Sequence, residues 1–489
     1  MILSTNELLD KIEITANGIK ALENATAETL YDVMTQSGSI EDSEKRKTMY
    51  ERYLGKTPID NRTIQKMQFG QLVTDTDPTI VNNKVSAPYE SAIVKTMVGY
   101  ILGNPVTTNL SKETYEDAEH KNINDLITNF KLKASWDDVN SDMATHANAC
   151  GYGVKILYSP KASLEVKEIA VYPFEVILFG ADYTRPDAAL RHYEISEVDG
   201  NEVKQKTVLE YYTGTTFIQY VKDDNDYIEI ENTPHGFDGC PVIGYPINAE
   251  AMGRFEKVIS LIDANNKLLS DVSSEIEAAH MAQLTIAGIP EPRDEAAKEE
   301  LKQNVLNSKV VLAQDTGTKF EWLIKEINPE FYRFAFETNE KEIYSLSSTP
   351  NMTDDSFSNN SSGVALSYKM QSFACDANVQ MRKLTRGFYR EFELIASFYA
   401  KQGKGFDAFA LEFSFNLMEA TNLKEEIENF VKTIGFLPLS DSLKLLSFIT
   451  DPDKTAREIE ESKANELSMF EEKVEEKVEE TPEVETIEG

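Results

Sequence analysis

The chain has 489 residues but only three cysteines, Cys150, Cys240 and Cys375. They lie far apart, are odd in number and form no CxxC pair. No disulfide framework is expected, and a reducing folding environment follows. The five histidines (His120, His146, His192, His235 and His280) show no HxxxH or HExxH spacing, which argues against a zinc site. No run reaches eighteen apolar residues. The nearest, Ser91 to Gly103, is interrupted by Lys95 and reads as an amphipathic helix, so no membrane span is expected. The start, MILSTNELLDKIE, lacks the basic and apolar regions of a signal peptide. Positive charge is scarce too, with 49 Lys and Arg against 83 Asp and Glu, a net of −34. Such a chain does not coat nucleic acid by neutralising phosphates. It is able to surround nucleic acid without sticking to it; simple solubility is the other reading of the same charge.

Motifs of chemistry are missing as well. Gly55-Lys56-Thr57 resembles the end of a phosphate-binding loop, but the position of the first glycine is Tyr50 and no buried strand precedes it. Asp75-Thr76-Asp77 and Asp223-Asp224-Asn225-Asp226 lack the rest of a calcium loop and read as turns. Gly151-Tyr152-Gly153 has no third glycine and is not a dinucleotide fingerprint. There is no GxSxG. The expectation is a protein without enzymatic activity, cofactor or metal.

What is present is helix. The run from Cys240 to His280 begins with a short strand-like CPVI and continues into about thirty residues of helical pattern starting near Asn248. Phe255, Ile259, Ile262, Leu269, Val272, Ile276 and Ala279 recur at spacings that fit one helix face, and Val258, Leu261 and Leu268 form a second stripe. At about 1.5 Å per residue this helix spans roughly 45 Å. It is too long for one small core and too charged for a bilayer, which points to an assembly. A second helix opens at Asn328-Pro329 and runs to about Leu346. The simplest geometry is an antiparallel pair carrying the 281–327 module (strand-like LTIAGI and KVVLAQ, a short helix in 294–306, and the segment KFEWLIKEI) at its tip.

Other helices are expected within 1–60, at 85–103 and at 121–149, and a β-rich layer from Gly151 to Tyr245. Residues 347–363, rich in Ser, Asn and Asp, read as a loop. Leu366, Met370, Phe373, Ala377, Met381, Leu384, Phe388, Phe392 and Ile395 predict a third long helix from about Val364 to Lys401. Its six basic residues against three acidic ones form either a solvated face or a local basic element. A strand, AFALEFSF, and short helices follow. The tail from Glu466, with ten Glu and two Lys, is expected to be disordered or a frayed helix. Removing its −8 leaves −26 on the rest, so the acidity is not a tail effect.

The order of these features resembles a known family. YERYLGKTPI (50–59), NNKVSAPYESAIVKTMVGYILGNPV (82–106), GCPVIGYPINAEAMGRFEKVISLIDANNKLLSD (239–271), Gly363-Val364-Ala365-Leu366, and the Leu439–Arg457 segment with its Asp-Pro turn are similar to the portal proteins of tailed bacteriophages, of the type related to the portal of the Bacillus phage SPP1. The resemblance covers about residues 25–465. It implies an α+β portal fold with helical stem, small α/β clip, mixed α/β wing and helical crown, assembling as a homo-oligomeric ring, usually of twelve subunits. Its implied place is the portal vertex of the virion capsid, reached from the host cytoplasm during assembly. Its implied partners are double-stranded DNA passing through the channel, the terminase large subunit, the major capsid and scaffolding proteins, and a head-completion or adaptor protein. The implied segments are an N-terminal region and wing (1–245), stem helices (246–280 and 328–347), a clip (281–327), a tunnel loop (348–363), a spine helix with a wing strand (364–418), a crown (419–465) and a tail (466–489). In that frame Asp354, Asp355, Asn359, Asn360, Ser361 and Ser362 face DNA from the tunnel loop, and Lys257, Lys267 and Lys341 are channel-lining candidates. On the residues alone the loop reads rather as a plain solvated connector. Another phage head or adaptor protein, or a metal-dependent nucleic-acid enzyme, are the alternative functions.

Overall fold

A computed structural model describes Ala27, Leu30 and residues 39–463, apart from 69–70, 75–79, 112–113, 116, 161–162, 200–201, 224–225, 281–282, 288–293, 297–298, 300–318, 324–328, 352–362, 419–422, 447–448, 450–451 and 453–454. The elements run α1 (Ser39–Tyr53), β1 (Gln65–Gln68), β2 (Gln71–Thr74), α2 (Tyr89–Leu102), β3 (Thr107–Leu110), α3 (Asp117–Ala134) and α4 (Trp136–Cys150). Strands β4 (Tyr152–Tyr158), β5 (Lys167–Val171), β6 (Val176–Phe179), β7 (Ala188–Asp199), β8 (Glu202–Tyr212), β9 (Thr216–Asp223), β10 (Asp226–Pro234) and β11 (Val242–Pro246) follow. Then come α5 (Ile259–His280), β12 (Gln283–Ala287), β13 (Lys319–Leu323), α6 (Pro329–Leu346), α7 (Gly363–Ala400), β14 (Leu411–Ser414), α8 (Leu423–Thr433) and α9 (Leu439–Leu443). The chain is α+β. It divides into two compact units, one of 1–50, 94–254 and 367–489, the other of 51–93 and 255–366.

The first unit holds an antiparallel three-stranded sheet, β11-β4-β5, and an antiparallel five-stranded sheet, β10-β9-β8-β7-β6. A short pair joins β14 to β3. The main core gathers around α7, whose stripe Phe373, Ala377, Leu384, Phe388, Phe392 and Ile395 is buried with Trp136, Ile243 and Tyr245. That stripe is the one the helical period predicts, and each of its Phe, Leu and Ile side chains contributes about 1.5–3 kcal/mol on full burial.

Two expectations change. The single helix expected at 121–149 is two helices, because Ser135 adopts a left-handed φ of 52° and breaks the run. Trp136 is thereby the first residue of α4 and fully buried. Helix α5 begins at Ile259 rather than near Asn248. The Asn248 side chain accepts from Met252 N (2.9 Å) and donates to Met252 O (2.8 Å), closing a loop that competes with helix. Ala251 in that loop has φ 49°. Gly151 has a matching reason: it ends α4 at φ 97°, and a Cβ there would lie 1.9 Å from Ala251 O. The Gly-Tyr-Gly sequence is therefore a helix end entering β4. Likewise Gly55-Lys56-Thr57 closes α1, with Gly55 N bonded to Arg52 O and Thr57 N bonded to Asp60 Oδ2 at 3.0 Å. Most of residues 1–38, the Asp75-Thr76-Asp77 and Asp224-Asn225 turns, KVVLAQ, most of the helix expected in 294–306 and the tail from Glu466 lie outside the described residues.

At the centre of the first unit sits a buried charge cluster. Lys155 of β4, Glu168 of β5 and Glu391 of α7 have fully buried side chains. The Lys155 ammonium donates to Asn140 Oδ1 (2.8 Å) and Glu168 Oε2 (3.1 Å) and pairs with Glu391. Its three donors are thus all used. Glu391 also accepts from Trp136 Nε1 (2.6 Å) and Tyr245 Oη (2.6 Å), the donor set of an ionised carboxylate. The rings of Trp136, Tyr245 and Phe388 stand 5.3–5.7 Å from Lys155 Nζ. Gly387, one turn before Glu391, lets the Tyr245 ring in, since a Cβ there would lie 2.2 Å from Tyr245 Cε1. Burial, then the nearby Glu391 charge, hold the Glu168 carboxyl well above the usual carboxylate range despite Lys155. One proton on Glu168 leaves the cluster neutral.

His146 of α4 lies among the rings of Tyr50 and Tyr172. Burial lowers its pKa to about 4 from 6.5. A depressed folded-state pKa means the native state holds His146 neutral while the unfolded chain binds a proton below pH 6.5. The associated stability is present above pH 6.5 and lost as pH falls toward 4, about 3 kcal/mol over the window. Glu168 acts with the opposite sign, because its raised pKa favours the native state as pH falls toward 4.5.

Replacing Lys155 with Met is expected to cost about 3–5 kcal/mol, because Glu391 keeps a buried charge without its cation. The Lys155→Met, Glu391→Leu double variant should recover a large part of that loss in a urea-unfolding cycle; independent, additive losses would contradict the coupling. His146→Phe should flatten the decline in urea midpoint between pH 6.5 and 4 relative to the parent chain, the Glu168 contribution being common to both. Equal slopes would remove His146 as the acid-sensitive group.

Candidate functional site

The second unit is built on α5 and α6, the helices that flank residues 281–328. Near the start of α6, Tyr332 Oη donates to Glu275 Oε2 at 3.0 Å, late in α5. Near its end, the Tyr344 ring meets Tyr89 at 5.9 Å, and Tyr89 Oη accepts from Asn265 Nδ2 at 3.1 Å, early in α5. Starts meet ends, so the two helices are antiparallel. Between them in sequence, β12 and β13 pair antiparallel, Gln283 opposite Leu323 and Ala287 opposite Lys319.

The buried face of α5 is not the apolar one its sequence suggests. Ile262 is fully buried, but so are Asn265, Asn266 and Ser270. An extended segment, residues 82–88, lies along this face. Ala87 N donates to Asn266 Oδ1 (2.8 Å), Val85 N to Ser270 Oγ (2.9 Å) and Asn83 N to Ser274 Oγ (3.0 Å). Steps of two along the segment match steps of four along the helix, in opposite directions. Two extended residues advance about 6.6 Å and four helical residues about 6.0 Å, so the two periods stay in phase over three contacts. The hydroxyls of Ser270 and Ser274 donate in turn to the carbonyls of Asn266 (2.8 Å) and Ser270 (2.7 Å) in their own helix. Backbone groups that would otherwise be unpaired are thereby satisfied.

Three ion pairs fix the same unit. Arg52 reaches Glu90 (2.9 Å) and Asp263 (2.6 Å), and Arg62 pairs with Asp271. Glu90 is fully buried; burial raises its pKa, and its own backbone N–H and Arg52 oppose the rise. Asn83 adds bonds from its side chain to Ser273 Oγ (3.2 Å) and Glu277 Oε2 (2.7 Å).

Lys257, Lys267 and Lys341 are all exposed. Lys267 is on α5 and Lys341 on α6, whereas Lys257 falls in the single 3-10 turn Glu256–Val258 that precedes α5. Asp354, Asp355, Asn359, Asn360, Ser361 and Ser362 lie outside the described residues. Large apolar side chains are also exposed here: Phe331, Phe334 and Leu346 on α6 and Ile276 on α5. Sequence reasoning missed the Asn266, Ser270 and Ser274 line. Its signal was small polar residues at i, i+4 and i+8 within a helix read for its apolar stripes. Among the described residues no helix is long and apolar enough to cross a membrane.

The antiparallel α5–α6 pair on either side of the β12-β13 pair is the arrangement that the residue pattern predicts for this stretch. The family model described as "Phage portal protein, SPP1 Gp6-like" matches residues 36–469. The portal protein of Bacillus phage SPP1 is 24% identical over 413 residues, which cover 80% of this chain and 78% of that protein. With the family model matching most of its length, the chain belongs to the SPP1 Gp6-like family of phage portal proteins.

Removing the Ser270 hydroxyl by Ser270→Ala leaves Val85 N–H without its acceptor, a cost of about 1–3 kcal/mol. Hydrogen exchange at the Val85 amide should accelerate about five-fold or more, while amides of the β11-β4-β5 sheet keep their rates. An unchanged Val85 rate would show that the contact does not hold the segment.

Proposed function

We propose that this chain forms a ring at one vertex of a phage capsid, and that terminase packages double-stranded DNA through the ring's central channel, the route by which DNA is later ejected. The observation that carries the reading is the family match over residues 36–469, and the antiparallel α5–α6 pair agrees with it. In this reading α5 and α6 lie in the stem (246–280 and 328–347), and residues 281–327 form the clip, which docks terminase and then the head-completion protein. Residues 348–363 form the tunnel loop, 364–418 the spine helix with its wing strand, 419–465 the crown and 1–245 the N-terminal region and wing.

Exposed Phe331, Phe334, Leu346 and Ile276 on the two stem helices support a neighbour in a closed cycle, since a repeated heterologous contact buries the same apolar surface on each subunit. Net charge of −34 suits a channel that lets DNA slide, because few cations are available to hold phosphates. Lys257, Lys267 and Lys341 are the candidates for transient phosphate contacts from the stem, with Asn359, Asn360, Ser361 and Ser362 contributing from the tunnel loop.

Negative-stain imaging of the purified protein should show rings with a central channel, twelve-fold in the commonest particle. Particles assembled from a Lys257→Gln, Lys267→Gln, Lys341→Gln variant should package or retain DNA differently from the parent. Packaging that is unchanged across salt concentrations would remove these lysines from the channel wall, and a monomer under all conditions would overturn the ring.

A further inference from the structure

A cleft of about 610 Å³ opens in the second unit between residues 58–65 and α5. Ile59, Arg62, Ile64, Asp263, Asn266 and Lys267 are among its lining residues. Most of its charges are already answered. Asp263 is held by Arg52, and Arg62 is turned to Asp271 and to the Asn83 carbonyl at 3.4 Å. Two donors are not. Asn266 is 1% exposed, and its orientation is fixed because Oδ1 takes the Ala87 N–H. Its Nδ2 is consequently the free end, with no acceptor among the described residues. A buried amide donor left this way costs about 1–3 kcal/mol until something supplies an oxygen. Lys267, the next residue, is an exposed cation that has no ion-pair partner among the described residues.

We infer that this cleft accepts a carboxylate side chain, Asp or Glu, from a second copy of the chain. One cation beside one neutral donor, with Ile59 and Ile64 for the stem of the incoming side chain, matches a single negative charge with two acceptor oxygens on a short apolar arm. A run of DNA phosphates fits less well, because of the two cations lining the cleft Arg62 is already paired with Asp271, leaving Lys267 for one negative charge rather than a row of them. A second copy offers the complementary charge in abundance, with 83 acidic residues against 49 basic ones. The inference rests on the ring reading above and revises it at one residue: Lys267 belongs to a subunit contact, which leaves Lys257 and Lys341 as the stem candidates for phosphate contacts.

The test uses rings assembled from equal amounts of unlabelled and ¹⁵N-labelled full-length chain, treated with a water-soluble carbodiimide, which joins an ammonium to a carboxylate it already touches. Mass spectrometry should find Lys267 peptides joined to Asp or Glu peptides in mixed-isotope pairs. Lys267→Gln should remove those pairs and lower the urea concentration at which rings dissociate in native mass spectra, with the unfolding midpoint of the chain unchanged. Rings in which Lys267 is unreacted, or is joined only within one chain, as to Asp263 or Asp271, overturn the inference alone. Protection of Lys267 from acetylation only when DNA is added assigns it to phosphate and also overturns it. A failure to form any ring overturns the ring reading and this inference with it.

Discussion

The first unit is closed around the buried Lys155–Glu391 pair, whose charges must be met by partners in the folded state. Taking an ammonium and a carboxylate out of water costs several kcal/mol per ion, and their attraction repays this only when the remaining donors and acceptors are met. Lys155 comes from β4, Glu168 from β5, Glu391 from α7, Trp136 and Asn140 from α4, and Tyr245 from β11. Five elements must therefore arrive in one register. An apolar core tolerates rearranged packing, whereas a cluster in which all three Lys155 donors are used does not. The break at Ser135, which makes Trp136 the first residue of α4, and the missing side chain at Gly387 both serve this one site.

The second unit solves a related problem with neutral groups. A segment of extended chain carries N–H groups that no strand partner receives. Helix α5 supplies acceptors from Asn266, Ser270 and Ser274 at a spacing that keeps step with every second residue. The arrangement binds segment 82–88 to α5 through direction-specific bonds, which fix register in a way apolar contact does not. The same feature leaves Asn266 Nδ2 over, so the residue that secures the segment is also the one that presents an unmet donor beside Lys267.

Much of the architecture was legible in residue pattern. The α7 stripe from Phe373 to Ile395, the strand-rich stretch between α4 and α5, and the helix opening at Pro329 all follow from periodicity and residue type. Less legible were elements fixed by distant partners. Strand β3, Thr107–Leu110, has no strong strand pattern and exists because β14 pairs with it some three hundred residues later. The helical period overstates the length of α5, because Phe255 and Val258 keep that period although Asn248 and Ala251 fold the stretch before them as a loop. At the site, the three lysines were visible as cations, yet only the structure distinguishes Lys267 in a cleft from Lys257 in a 3-10 turn.

By itself the sequence determined the class: its helical periods, its acidity and the order of its motifs are local or cumulative properties, and these suffice to place the chain among the phage portal proteins. Tertiary structure decided which polar residues matter. Lys155 inside an apolar strand, Glu391 among the charges of a long helix and Ser270 among helix polar residues look ordinary in sequence. Their roles come from desolvation and from partners over a hundred residues away, as with the 185 residues that separate Val85 from Ser270, and no local pattern encodes such a distance.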